Sequence, residues 1–226
     1  PREHMGTATV PGGVELRLYR HGRDFIIALD RNELMNTRMN GSEKALATMT
    51  LERLGGRSAP HLLIGGYGMG FTLRAALGSV GKEASITVAE LVPEIIAWAR
   101  GCMSEITAGC LDDPRVMLVQ DDVGMLIEAA NGGYDAILLD VDNGPDGLTR
   151  RENDRLYSRH GLQMAKKALR PGGILAVWSA HRDPAFTRRL REAGFEVEEV
   201  SVRARTDSDG KGKGARHVIW FAQKAC

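Results

Sequence analysis

The chain predicts an α/β fold, doubly wound around a mostly parallel sheet with helices on both faces and preceded by a short N-terminal β-hairpin. Three observations carry that expectation. From His61 onward, apolar runs of four or five residues alternate with helical patterns, as parallel strands buried on both faces require. The first run breaks into Gly65-Gly66-Tyr67-Gly68-Met69-Gly70 just ahead of a helical segment. Each of the next three strand-like runs ends on an acid.

In chain order, residues 1–4 precede Met5 and read as an added remnant outside the fold. Val14–Tyr19 alternates apolar and polar, as Phe25–Leu29 does in part, and His21-Gly22-Arg23-Asp24 between them is turn material, giving a hairpin. Ser42–Leu54 has helical spacing with Ser42 as N-cap, and Gly55–Pro60 is a linker. The alternation then reads strand His61–Gly65, helix Phe71–Leu77, strand Ile86–Ala89, a helix from Pro93 through Cys102, strand Val116–Val119 and helix Met125–Ala130. It continues with strand Asp135–Leu139, helix Tyr157–Leu169 closed by Pro171-Gly172-Gly173, strand Ile174–Trp178 and helix Pro184–Ala193. Strands Phe195–Val202 and His217–Ala222 end the chain around a polar loop, Thr206–Gly214. The expected division is residues 5–57 as hairpin and helix and 58–226 as the α/β domain.

At 226 residues the chain suits one domain of moderate size. No run approaches the roughly 18 apolar residues of a membrane helix, and no secretion signal opens it, so the expected location is cytoplasmic, without a membrane partner. Cys102, Cys110 and Cys226 lack metal-ligand spacing, so no metal is expected. Residues 1–149 carry 13 Lys+Arg against 20 Asp+Glu, and residues 150–226 carry 17 against 9. The basic half does not make a nucleic-acid protein, because the 3 Trp, 4 Tyr and 5 Phe are too few and scattered for stacking platforms.

The glycine loop and Glu90, twenty residues past its last glycine, indicate an adenosine-bearing ligand. Glycines let backbone approach a ligand, the helix start offers N–H groups, and a carboxylate at that separation accepts ribose hydroxyls. Gly66-x-Gly68-x-Gly70 is tighter than the dinucleotide pattern, whose third glycine falls on Phe71. A compact nucleoside therefore fits better than a pyrophosphate, which disfavours a nicotinamide dehydrogenase. Four successive strand ends deliver the glycine loop, Glu90, Asp121-Asp122, and Asp140 with Asp142 and Asn143. Acids often end strands as turn formers, but this fold converges the four ends on one crevice. Asp122 is placed to accept from the adenine amine, with Asp121 as the alternative, and Met125 and Leu126 to pack on the base. Tyr67 and Met69 sit within the loop. Asp140 lies where a carboxylate meets an incoming nucleophile. His160 and His181 read as surface or packing residues.

The order GGYGMGFTLR, AELVPEI, DDPRVMLVQDDVGMLI, YDAILLDVDNGP, ALRPGGILAVWS and HVIWFAQK resembles the spermidine synthase-like branch of the class I S-adenosylmethionine-dependent methyltransferase fold, over about residues 61–222. The resemblance implies a Rossmann-like, seven-stranded sheet whose last strand runs antiparallel, and a homodimer. It implies that residues 58–226 bind S-adenosylmethionine or its decarboxylated form through Gly66, Tyr67, Gly68, Gly70, Glu90, Leu91, Asp121, Asp122 and Asp140. It also makes Asp140 the acid that receives the acceptor's proton, with Asp142 and Asn143 facing the acceptor.

The departures bear on the reaction. Met69 stands where the family has an Asp that holds the aminopropyl ammonium, Asn143 replaces a second amine-binding acid, Val123 replaces a glycine, and Ser42 replaces a tyrosine. Burying ammonium groups without carboxylate partners is unfavourable. The reading placed first is therefore methyl transfer from S-adenosylmethionine to a small-molecule acceptor. The alternatives are aminopropyl transfer from decarboxylated S-adenosylmethionine, of the spermidine synthase type, and a non-catalytic nucleoside-binding relative.

Overall fold

The computed structural model describes residues 1–140, 155–206 and 212–226. Its strands are β1 (Glu3–Thr9), β2 (Glu15–His21), β3 (Asp24–Leu29), β4 (Asn32–Asn36), β5 (His61–Gly65), β6 (Ser85–Ala89), β7 (Val116–Val119), β8 (Tyr134–Leu139), β9 (Leu169–Ser179), β10 (Glu196–Thr206) and β11 (Gly212–Gln223). The helices are α1 (Gly41–Leu54), α2 (Phe71–Leu77), α3 (Pro93–Arg100), α4 (Ser104–Thr107), α5 (Val123–Ala129), α6 (Arg159–Ala168) and α7 (Pro184–Glu192). β1 to β4 form one antiparallel sheet, and the other seven strands form a second in the order β10-β11-β9-β8-β5-β6-β7. Within it β5 to β9 run parallel, and β11 is antiparallel to both β9 and β10. The seven-stranded, doubly wound sheet is the one the sequence predicts.

Alternation along the central strands sorts side chains between two layers. Leu62, Ile64, Ala136 and Leu138 join one core with residues of α1, α2, α3 and the N-terminal sheet. Leu63, Ile137 and Leu139 join the other with residues of α5, α6 and α7. All six residues of β8 are buried, as a strand covered on both faces must be.

The N-terminal unit is larger than the expected hairpin. β2 and β3 are its centre, flanked by β1 and β4, whose sequences EHMGTAT and NELMN lack β-branched periodicity. They are edge strands, where weak formers are tolerated. Glu3 and His4, set aside on sequence, pair with Arg20 and Tyr19. At Gly6 the sheet crosses α3 so closely that a Cβ would lie 2.6 Å from Trp98 Nε1.

Two local expectations are corrected. The N-cap of α1 is Asn40, not Ser42; Ser42 is buried and its hydroxyl bonds His217 Nδ1 at 2.8 Å. Pro171-Gly172-Gly173 does not precede β9 but bulges within it, since the ladder steps from Tyr134↔Leu169 to Ala136↔Ile174. Elsewhere the ends move by a few residues. Gly101 stops α3 early, and Asp122 starts α5 early by accepting the Gly124 N–H. No described helix is long and apolar enough to cross a membrane.

At the amino ends of the strands, Asp135 is 4% exposed. Its carboxylate accepts from the His61 N–H at 2.8 Å, Arg57 at 2.6 Å and Arg170 at 2.7 Å, joining linker, β5, β8 and the β9 bulge. Burial alone would raise its pKa, but these donors hold it below the ordinary carboxylate value. Asp135→Ala should destabilise the protein by about 1–3 kcal/mol in urea titration, since two arginines and an amide lose their acceptor. That stabilisation is full above the ordinary carboxylate pKa of about 4 and is lost as pH falls below it.

Candidate functional site

Strand order lines up the carboxyl ends as Asp140 after β8, the glycine loop after β5, Glu90 after β6 and Asp121-Asp122 after β7. Three inter-strand spacings of about 4.8 Å set the outer acids roughly 14 Å apart, a span suited to a nucleoside with a short tail.

Glu90 is the buried centre of this row, 6% exposed. Its Oε1 accepts from the N–H groups of Tyr67 at 3.1 Å and Gly68 at 3.3 Å, and its Oε2 from that of Val92 at 3.0 Å. Burial raises its pKa, and these backbone donors, with Leu91, pull the other way. Three of about four lone-pair sites are thus used by the protein. The carboxylate that the sequence assigns to a ribose also clasps the glycine loop. Gly66 sits against it, a Cβ there lying 3.1 Å from Oε1. Gly70, at φ +81°, caps α2 where a Cβ would strike the Tyr67 hydroxyl at 2.5 Å.

Glu43, Gly66, Tyr67, Gly68, Met69, Thr72 and Asp140 line one small cavity with Met35 and Phe71. At about 20 Å³ it has room for about one water. The Asp140 N–H donates to Gly65 O at 2.8 Å, extending the β5/β8 pairing and fixing the residue beside the loop. Burial pushes the Asp140 carboxyl up to about 7. Burial, and then the charge of Asp140, raises Glu43 well above its ordinary value, with Arg74 opposing. Tyr67 gives the cavity little polarity. Its ring is buried, and its hydroxyl turns inward to Thr107 Oγ1 at 3.3 Å, beside Cys110; burial raises its pKa.

Asp121 and Asp122 lie apart from this cavity. Asp121 accepts the Asp122 N–H at 2.8 Å, whereas Asp122 caps α5 and lines a second cavity of about 300 Å³ with Met125, Arg155, Leu156, Ser158, His160 and Met164. Leu91 is partly buried against the core. Val123 has its γ-carbons packed on Gly65, where a Cβ would lie 2.6 Å away. His160 and His181 are exposed. Asp142 and Asn143 fall outside the described residues, as does the segment through Asp154.

Glu43 and Met35 were missed on sequence. An acid in a helix's first turn reads as a complement to the helix dipole, and nothing local shows that β4 and α1 reach the glycine loop.

Residues 47–190 match the spermine/spermidine synthase domain. The chain belongs to that family. A polyamine aminopropyltransferase of Mycobacterium tuberculosis is 35% identical over 160 residues, 67% of this chain and 30% of the relative. Polyamine aminopropyltransferase 2 of Pseudomonas aeruginosa is 32% identical over 147 residues, 60% of this chain and 40% of the relative. The chain thus spans less than half the length of these relatives. The spermidine synthase structure from Thermotoga maritima superposes with a TM-score of 0.74 at 19% identity, covering 98% of this chain and 73% of that one. At that identity the likeness establishes the shared fold.

Two outcomes test the site. Glu90→Ala should weaken methylthioadenosine binding by about 1–3 kcal/mol in calorimetry, and unchanged affinity removes Glu90 from the site. Asp140 has a folded pKa above its unfolded one, so its contribution is full below about pH 4 and lost as pH rises through about 7. Asp140→Asn should therefore be more stable than wild type at pH 8, by about 1–2 kcal/mol after solvent screening, and gain nothing at pH 4.

Proposed function

We propose that the chain transfers an aminopropyl group from decarboxylated S-adenosylmethionine to an amine. One observation carries the reading. The cavity beside the glycine loop is lined by two carboxylates, Glu43 and Asp140, and among the described residues by no Lys, Arg or His. The α-carboxylate of S-adenosylmethionine would meet like charge there, whereas an ammonium-ended tail gains two partners. The names of the Mycobacterium and Pseudomonas relatives and the family match support the same reading. Methyl transfer, placed first on the strength of Met69, gives way to the aminopropyl alternative.

The fit to the donor rests on two features. Gly66 keeps a Cβ off the Glu90 carboxylate, and the ribose hydroxyl is assigned to Glu90 Oε2, which accepts from the Val92 N–H. Asp122 offers the free side of its carboxylate to the base. The donor supplies a carbon activated by its sulfonium, so that a C–N bond forms as the C–S bond breaks and the electron pair leaves on sulfur as neutral methylthioadenosine. The chain's part is alignment and proton removal. Asp140 takes the proton that the acceptor nitrogen sheds, and a carboxyl with a pKa of about 7 suits a base working near neutral pH.

Calorimetry with the two donors, followed by turnover on a panel of mono- and diamines, tests the proposal. The decarboxylated donor should bind at least about tenfold more tightly, the worth of one charge-assisted hydrogen bond. Asp140→Asn should lower kcat by about 10²-fold or more while leaving methylthioadenosine affinity within about twofold. Tighter binding of the carboxylate-bearing donor, or methyl transfer to the amines, overturns the reading.

A further inference from the structure

We infer that Glu43, at the start of α1, is the specificity-determining residue of the cavity, the anion that pairs with the terminal ammonium of the donor's tail and turns away a donor that keeps its carboxylate. The inference rests on the aminopropyl reading and assigns one residue the choice between the two donors.

The position of Glu43 in its helix gives the first argument. With Asn40 as N-cap it is the third helical residue, from which a Glu ordinarily reaches back to the N-cap backbone N–H. No such bond forms. The Glu43 carboxylate has no hydrogen bond or ion pair among the described residues. It faces the cavity instead of completing the helix end.

The surroundings hold it there. Ser42 is buried and bonded to His217, and the Glu43 carbonyl accepts the Thr72 hydroxyl of α2 at 3.1 Å. The backbone on both sides of the side chain is therefore fixed. The neighbouring cation is engaged elsewhere: Arg74 donates to Met69 O at 3.1 Å and stacks on Phe71 with its guanidinium carbon 4.7 Å from the ring centroid. It moderates the Glu43 charge without forming an ion pair.

The remaining walls define the ligand. Met35, Met69 and Phe71 are apolar, and Glu43 and Asp140 are the two acids of the lining. At about 20 Å³ the cavity admits one ammonium group in the place of one water, with the rest of the tail outside it. If Asp140 takes the acceptor's proton, it cannot also be a permanent counter-ion, which leaves that role to Glu43. The loop position facing it is Met69, 4% exposed, which offers no charge of its own.

The test is Glu43→Gln in the full chain, with calorimetry and steady-state kinetics on both donors. Affinity for the decarboxylated donor should fall by about 10–100-fold, while affinity for S-adenosylmethionine stays equal or rises, because a repulsion is removed. That opposition of sign is one a merely structural role cannot give. The loss should appear in KM for the decarboxylated donor, with kcat at saturation within a few fold, and Glu43→Asp should recover part of the preference. Glu43→Gln that keeps the wild-type preference, or that weakens both donors and methylthioadenosine equally, overturns the inference while the aminopropyl reading stands. If wild type itself shows no preference for the decarboxylated donor, the reading falls and the inference with it.

Discussion

A carboxylate taken out of water must find donors or give up its charge, and Glu90 finds them in the backbone of the glycine loop. The clasp couples two strand ends that the sequence separates by about twenty residues. It sets where the loop turns, where α2 begins and where α3 follows through Val92. The site is thus organised around one buried anion whose partners are main-chain amides, which no side-chain substitution in the loop removes directly. Glycine at 66 is part of the same arrangement, since a methyl there would press on the carboxylate.

The other two acids are in the opposite condition. Glu43 and Asp140 line a small cavity that has no Lys, Arg or His among its described lining residues; burial raises the pKa of both, and the charge of Asp140 raises that of Glu43 further. Such a pair is unfavourable for the empty protein and becomes favourable only when something positive enters. Asp135, at the opposite end of β8, marks the contrast. Two arginines and an amide complete its carboxylate, and its effect is architectural. Along a single strand, one acid is completed by donors and the other lines a cavity.

Much of this was legible in order along the chain. The glycine loop, Glu90, Asp121-Asp122 and Asp140 each sit at the end of a run whose apolar character fixes it as a buried strand, and parallel topology delivers those ends to one edge. β1 and β4 were not legible, because edge strands survive on Glu, Asn and Gly without periodicity. The part of the site that comes from outside the alternating region was equally hidden. Ser42 looked like a cap because it precedes a helical pattern, yet its hydroxyl is spent on His217 from the far end of the chain. Glu43 looked like dipole chemistry. Both depend on which surface α1 is laid against, a long-range outcome that local spacing does not encode. The preference for methyl transfer had the same origin, since it weighed the missing loop acid at Met69 without sight of the one α1 brings in.

That arrangement bears on how the molecule can be divided. A cut between residues 57 and 58 follows the change in composition, yet it leaves Met35 and Glu43 on one side and the loop they cover on the other. On the proposed reading, the adenosine platform lies in the sheet and the counter-ion of the tail in the segment before it. Selectivity would then change with the preceding segment alone, leaving the platform untouched.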